Sequence, residues 1–133
     1  MNAINKEVAV EEIKNYLADF LEVEFDVEND YPKILKAVED GRLSFNDEKR
    51  PVYTLIEPIN KGTEFEIKEL ILKNRILPSV GADLAKGIDL QKEAFKYGLV
   101  VTAHICGFAS YKELDKLSKK DYQLIQELAP VFM

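Results

Sequence analysis

The sequence predicts an α+β protein, mostly helical with a small antiparallel β-hairpin or three-stranded sheet. Three observations carry this. Apolar residues recur at three-and-four spacing along residues 8–21, the signature of a helix with one buried face. Two strand-like runs, 52–57 and 64–68, flank a glycine-bearing turn. Residues 110–132 hold two serine-opened helical starts and end in an apolar aromatic tail.

With 133 residues, the chain suits one domain that buries roughly two thirds of its unfolded surface. One cysteine excludes an internal disulfide, and no charged n-region with an apolar h-region opens the sequence, so a cytoplasmic address is expected. The longest run nearly free of charge, Tyr97 to Tyr111, is shorter than the ~20 residues of a membrane span. No membrane association is expected.

The net charge is −6, and residues 1–50 carry all of it: 13 acids against 7 Lys/Arg, where residues 51–133 have 11 of each. Between Asp19 and Asp30 there are six acids and no base. Such a strip repels a phosphate backbone, so no nucleic-acid partner is expected.

Taken in order, Val10, Ile13, Leu17, Phe20 and Leu21 line the first amphipathic helix. Val23, Phe25 and Val27 then alternate with acids, which suits a short strand or a frayed helix end equally. Pro32 opens a second helix to Asp40 with Ile34, Leu35 and Val38 inward, and Gly41 ends it. Leu43 and Phe45 alternate with Ser44 and Asn46, the pattern of a third strand that would extend the hairpin. In the hairpin, Asn60-Lys61-Gly62-Thr63 forms the turn, Phe65 and Ile67 face the core with Tyr53 and Leu55, and Pro58 belongs at a strand end or an exposed edge. A short helix starts at Pro78 and Ser79. Asp89 caps a stronger one, apolar nearly all round from Ala94 to Gly107 and so expected to cross the middle of the domain, with Gly98 marking a close backbone approach. Ser110 with Glu113 and Ser118 with Asp121 form capping boxes. The last helix runs from Ser118 to about Ala129 with Tyr122, Leu124, Ile125 and Leu128 along one side, and Val131 and Phe132 follow Pro130.

Chemistry-bearing constellations are few. His104 and Cys106, two residues apart on a helix, point to different faces and lack a helical carboxylate to complete a metal shell. Asp26, Glu28 and Asp30 imitate the start of a calcium loop, but its sixth position is Tyr31 and its twelfth Ala37. Gly81-Ala82-Asp83 and Gly87 lack the lysine and spacing of a phosphate loop. No catalytic residue, metal or cofactor is expected, and the chain is expected not to be an enzyme. What remains is protein binding: part of the C-terminal apolar stripe can stay open to receive an amphipathic helix. Leu114, Leu117, Tyr122, Leu124 and Phe132 are the candidate contact residues. Lys112, Lys116, Lys119 and Lys120 oppose the acidic strip, a polarity suited to docking or to homo-oligomer formation.

The stretch SYKELDKLSKKDYQLIQELAPVF at 110–132 resembles the ending of the tail assembly chaperones of long-tailed bacteriophages and prophages: a loop, a short "ELDxL" helix, a Ser/Thr-opened helix with "DYxxL", and an apolar aromatic tail. TLIEPI at 54–59, a glycine-bearing turn, FEIKELILKNRILPSVGADLAKG at 65–87 and the apolar helix before Gly107 are similar to the family in the same order. The charge boundary at 50/51, without a Gly-, Ser- or Pro-rich linker, points to two lobes of one unit, an acidic N-terminal helical lobe at 1–50 and a hairpin plus helical chaperone-like region at 51–133. The resemblance covers about residues 50–132 and implies that the first lobe is appended. It further implies a non-enzymatic role in virion morphogenesis within the bacterial host cytoplasm, with the tape measure protein as client and the tail tube protein as a second partner. Two alternatives stand beside it: a phage structural component retained in the particle, and a small DNA-binding regulator using Ser110–Ala129 as a helix-turn-helix.

Overall fold

In a computed structural model that describes residues 3–133, the chain begins with helix α1 (Lys6–Leu17). Asn5 starts it, its Oδ1 accepting the Val8 N–H at 2.9 Å, and Ala9, Ile13, Tyr16 and Leu17 form the buried face. The helix stops four residues before the end of the periodic pattern, because its final turn tightens: Asp19 N donates to Tyr16 O and Phe20 N to Leu17 O. The alternating segment that follows is neither strand nor helix end. Residues 21–26 run irregularly to Asp26, whose Oδ1 caps a single turn, α2 (Val27–Asp30), through Glu28 N and Asn29 N.

Pro32 opens α3 (Pro32–Glu39), which buries Ile34, Leu35, Ala37 and Val38, and Gly41 takes the left-handed φ of 77° that turns the chain out of it. Leu43–Phe45 is strand β1, Pro51–Ile59 is β2 and Ile67–Ile71 is β3, in one antiparallel sheet with β2 in the centre. Tyr53 and Leu55 are buried as expected. Phe65 is not. It is 71% exposed and precedes β3, because β3 starts three residues later than its alternation suggested and pairs Leu70 with Tyr53 and Glu69 with Thr54. Leu70 and Leu72, not Phe65, fill the core position beside β2. Pro58 sits near the end of the central strand, within the irregular stretch between Thr54 and Ile59, where a missing N–H removes no regular ladder bond.

Four shorter elements and one long helix complete the chain: α4 (Pro78–Leu84), α5 (Ala94–Cys106), a 3-10 helix (Tyr111–Lys116), α6 (Lys119–Leu128) and a terminal 3-10 turn (Ala129–Phe132). One continuous apolar core draws on both halves of the chain, from Ala9 and Ile13 through Tyr53 and Leu72 to Leu128 and Phe132. An aromatic group locks the two ends together: the Tyr16 ring stacks on Phe45 at 3.7 Å, and Phe132 meets Phe20 edge-on at 5.2 Å.

The strongest join is polar. Ser118 caps α6 by accepting the Asp121 N–H, as its spacing suggested. The Asp121 carboxylate does not complete the reciprocal bond of a capping box. It is fully buried and accepts from Tyr53 OH at 2.5 Å, Ile56 N at 2.9 Å, Glu57 N at 3.1 Å and Ser118 OH at 2.8 Å. The start of α6 is thereby fastened to the irregular half of β2, whose displaced N–H groups need an acceptor. Glu127, two turns later, accepts the Ile34 N–H at 2.6 Å. That supplies α3 with the cap that Tyr31 does not provide.

Candidate functional site

Helix α5 does not cross the middle of the molecule. Its buried residues, Val101, Thr102, Ala103, Ile105 and Cys106, all lie in its second half, and the first half is partly or fully open, with Phe95 at 76% exposure. Asp89 is not its cap. Asp89 Oδ1 accepts from Gln91 N and Lys92 N in a preceding turn, and α5 begins only at Ala94, without a side-chain cap. Gly98 serves no close approach either: a Cβ built there meets nothing within 4 Å. The first half of α5 thus presents a bare, low surface, and its carbonyl at Gly98 takes the Thr102 hydroxyl at 2.7 Å.

The 3-10 helix packs against α5. Ser110 opens it by accepting the Lys112 N–H. The eclipsed spacing of a 3-10 turn sets Leu114 and Leu117 three residues apart on one side, and both are buried. Between this segment, the first half of α5 and the start of α6 lies a groove of about 470 Å³. Phe95, Leu99, Tyr111, Leu114, Leu117 and Tyr122 line it, with Lys112, Asp115 and Lys119 at its rim. Phe95, Leu99 and Tyr122 also border a shallower depression that continues past Gly98 and Thr102 to Gln126, Pro130 and Met133. The two form one apolar strip, ending at the 57% exposed Met133. The Lys96 ammonium lies 5.9 Å from the Tyr111 ring centroid and adds a third cation to the margin.

Leu114, Leu117 and Tyr122, three of the residues expected to contact a partner, are therefore brought together on this groove. The first two form its floor rather than projecting from it. Leu124 is buried beneath a different cleft, beside Tyr53 and Ile56. Phe132 is interior, because the terminal turn folds its ring back against Tyr16 and Phe20. Neither Leu124 nor Phe132 is placed to touch a partner on the groove. The groove residues that the C-terminal stripe failed to reveal are Phe95, which is exposed, and Leu99, which is partly buried against the core. Their i, i+4 spacing, with Lys92 and Lys96 at the same helical interval beside them, was the available signal. In the helix-turn-helix alternative, the first arm would be the six-residue 3-10 helix Tyr111–Lys116, which is shorter and more tightly wound than an α-helix of two or more turns.

Cys106 is buried, whereas His104 is partly open. Burial pushes the Cys106 thiol up to about 12, against an opposing effect of Lys73, so it is a packed, unreactive thiol at neutral pH. Burial first and the Lys73 ammonium second hold the His104 imidazole below its ordinary value. Among the described residues no group of three His, Cys, Asp or Glu is gathered as a metal site, and no helix is long and apolar enough to cross a membrane. What the exposed strip can do chemically is bind: it offers apolar area, two tyrosine hydroxyls and a mostly cationic rim. Searches against protein-family models, curated proteins and solved structures found no match to the chain.

Proposed function

We propose that the chain is a non-enzymatic tail assembly chaperone that holds an amphipathic helix of the tape measure protein in the α5/α6 groove during tail morphogenesis. The observation that carries this reading is the strip itself. Phe95, 76% exposed, stands over a groove whose other walls are apolar side chains from three elements. Large aromatic residues left open on a rigid helix are characteristic of helix-in-groove recognition. The similarity of residues 110–132 to the family's ending adds support, since that stretch builds two of the three walls.

The groove also states what its occupant looks like. Lys112 and Lys119 on the rim, with Lys96 beside Tyr111, favour a client helix whose apolar ridge is flanked by Asp or Glu. Contact yields roughly 25 cal/mol for each Å² of apolar surface removed from water. That suits reversible holding, because release must follow before the client enters the tail.

The test is co-expression of the full chain with tape measure fragments. Soluble yield of the fragments should rise with the parent chain and fall back with Phe95→Asp, at an exposed position where the fold tolerates a charge, and with Leu99→Ala in a chain that melts like the parent. Unchanged fragment solubility with the parent, or equal protection by the variants, would reject the chaperone reading.

A further inference from the structure

A surface of opposite character lies where the sheet ends against the last turn of α5. Arg50 immediately precedes β2, Lys73, Asn74 and Arg75 follow β3, and His104 sits near the end of α5. With Leu77 and Val80 they line an open cleft of about 320 Å³ that no carboxylate lines. In a chain of net charge −6, three permanent cations and the only histidine converge on one opening. Like charges gathered this way repel one another, and each gains when an anion enters.

The frame is built from backbone bonds. Arg50 Nε donates to Leu72 O at 2.9 Å and Nη2 to Ile71 O at 3.1 Å, which fixes the guanidinium while Nη1 keeps no partner among the described residues. Asn74 Nδ2 donates to Glu48 O and Lys49 O at 3.1 and 2.9 Å, pinning the loop before β2. Lys73 N donates to Ile105 O at 2.9 Å and ties the strand exit to α5. Carbonyls at a helix C-terminus normally repel anions. Here those of Ala103, His104 and Ile105 are taken by Phe108 N, Gly107 N and Lys73 N. No ion pair joins Arg50, Lys73 or Arg75 to a carboxylate among the described residues. The Lys73 charge is felt at both His104 and Cys106.

We infer that this cleft binds a small oxyanion group, of phosphate or carboxylate chemistry, between Arg50, Lys73, Arg75 and the His104 ring. A fixed guanidinium with free N–H groups suits a planar or tetrahedral oxyanion, and the two flanking cations add charge without demanding one geometry. The site is separate from the client groove and does not depend on the chaperone reading.

Because the chain has a single histidine, the imidazole C–H signals in proton NMR all come from His104 in the lining of this cleft. Inorganic phosphate, and separately succinate, would be titrated into the full chain with sodium chloride holding the ionic strength constant. A saturable shift with a midpoint on the order of 1 mM is expected, with the His104 titration midpoint moving upward in the bound state. Lys73→Gln and Arg75→Gln should each weaken binding about fivefold, while Lys61→Gln, in the hairpin turn, leaves it unchanged. Saturation by phosphate alone assigns a phosphate ligand, and saturation by succinate alone a carboxylate. A drift that sodium chloride reproduces, or binding indifferent to both cleft variants in chains that melt like the parent, overturns the site.

Discussion

Helix α5 buries nothing from Ala94 to Val100 and five of the next six residues, although the two halves are similarly apolar in sequence. Helix α6 is treated in the opposite manner. Its inner side is held to β2 and α3 by two carboxylates, Asp121 and Glu127, that accept backbone N–H groups from elements far away in the chain. One apolar region is left largely open; the other is sealed, its apolar side chains Leu124, Ile125 and Leu128 held down by polar fastenings. The contrast teaches that apolar content alone does not decide what is interior. Burial goes to the face that a directional bond or a close-packed ring fixes in place, and a helix without such a fastening at its start keeps part of its greasy surface for something else.

The sharpest way to break this comparison is at Asp121. Replacing it with Ala leaves the buried Tyr53 hydroxyl and the Ile56 and Glu57 N–H groups without their acceptor, and should cost about 3–5 kcal/mol of unfolding free energy, read as the urea midpoint. Phe95→Ala, on the uncovered side, should change the same midpoint by less than about 0.5 kcal/mol. If both variants lost similar stability, the two regions would not differ as described.

The second effect is on binding. On the function proposed above, Phe95→Ala should weaken a complex with a tape measure peptide by about 2 kcal/mol, near thirtyfold, as expected of an aromatic anchor. Leu124→Met should leave affinity unchanged because that side chain lies under a different cleft. Isothermal calorimetry separates the two. Equal losses would move the binding surface away from α5.

Much of this contrast was legible in the sequence, and the illegible part has a physical cause. Ser118 as the cap of α6, Pro32 as the start of α3 and the Tyr53/Leu55 alternation on β2 follow from local chemistry, which needs no knowledge of distant residues. The exposure of Phe95 and the interior placement of Phe132 do not. Helical periodicity shows that a face is apolar without showing whether another element covers it, and Phe132 is covered by Phe20 and Tyr16, more than a hundred positions earlier. The shift of β3 to Ile67 has the same origin. Either alternation of residues 64–71 could pair with β2, and the pairing of Leu70 with Tyr53 decided between them.

A third, smaller effect sharpens the difference within α5. Since a methyl group at Gly98 meets nothing and the position is mid-helix, Gly98→Ala should stabilise the chain by about 1 kcal/mol through helix propensity alone. A rise in melting temperature with unaltered client affinity would show that the glycine serves neither packing nor binding. A loss of affinity would instead place the client backbone directly over it.

The smallest effect belongs to Glu127, and it tests whether the sealed side is favourable because of its charge or in spite of it. Burial raises this carboxyl above its ordinary value of 4.5, while the Ile34 N–H and the Lys33 ammonium act to lower it. A raised folded value means that the folded chain holds this proton more tightly than the unfolded one. The stability this linkage contributes is therefore full below the unfolded value and lost as pH rises through the folded one. Glu127→Gln keeps a carbonyl oxygen to accept the Ile34 N–H and removes the titration. Comparing urea midpoints of variant and parent, the difference should be small at pH 4 and move in favour of Gln up to pH 7. A difference that moved toward the parent would mean that the ionised carboxylate stabilises the N-terminus of α3 by more than its desolvation costs, and that α6 is fastened there by charge rather than by hydrogen bonding.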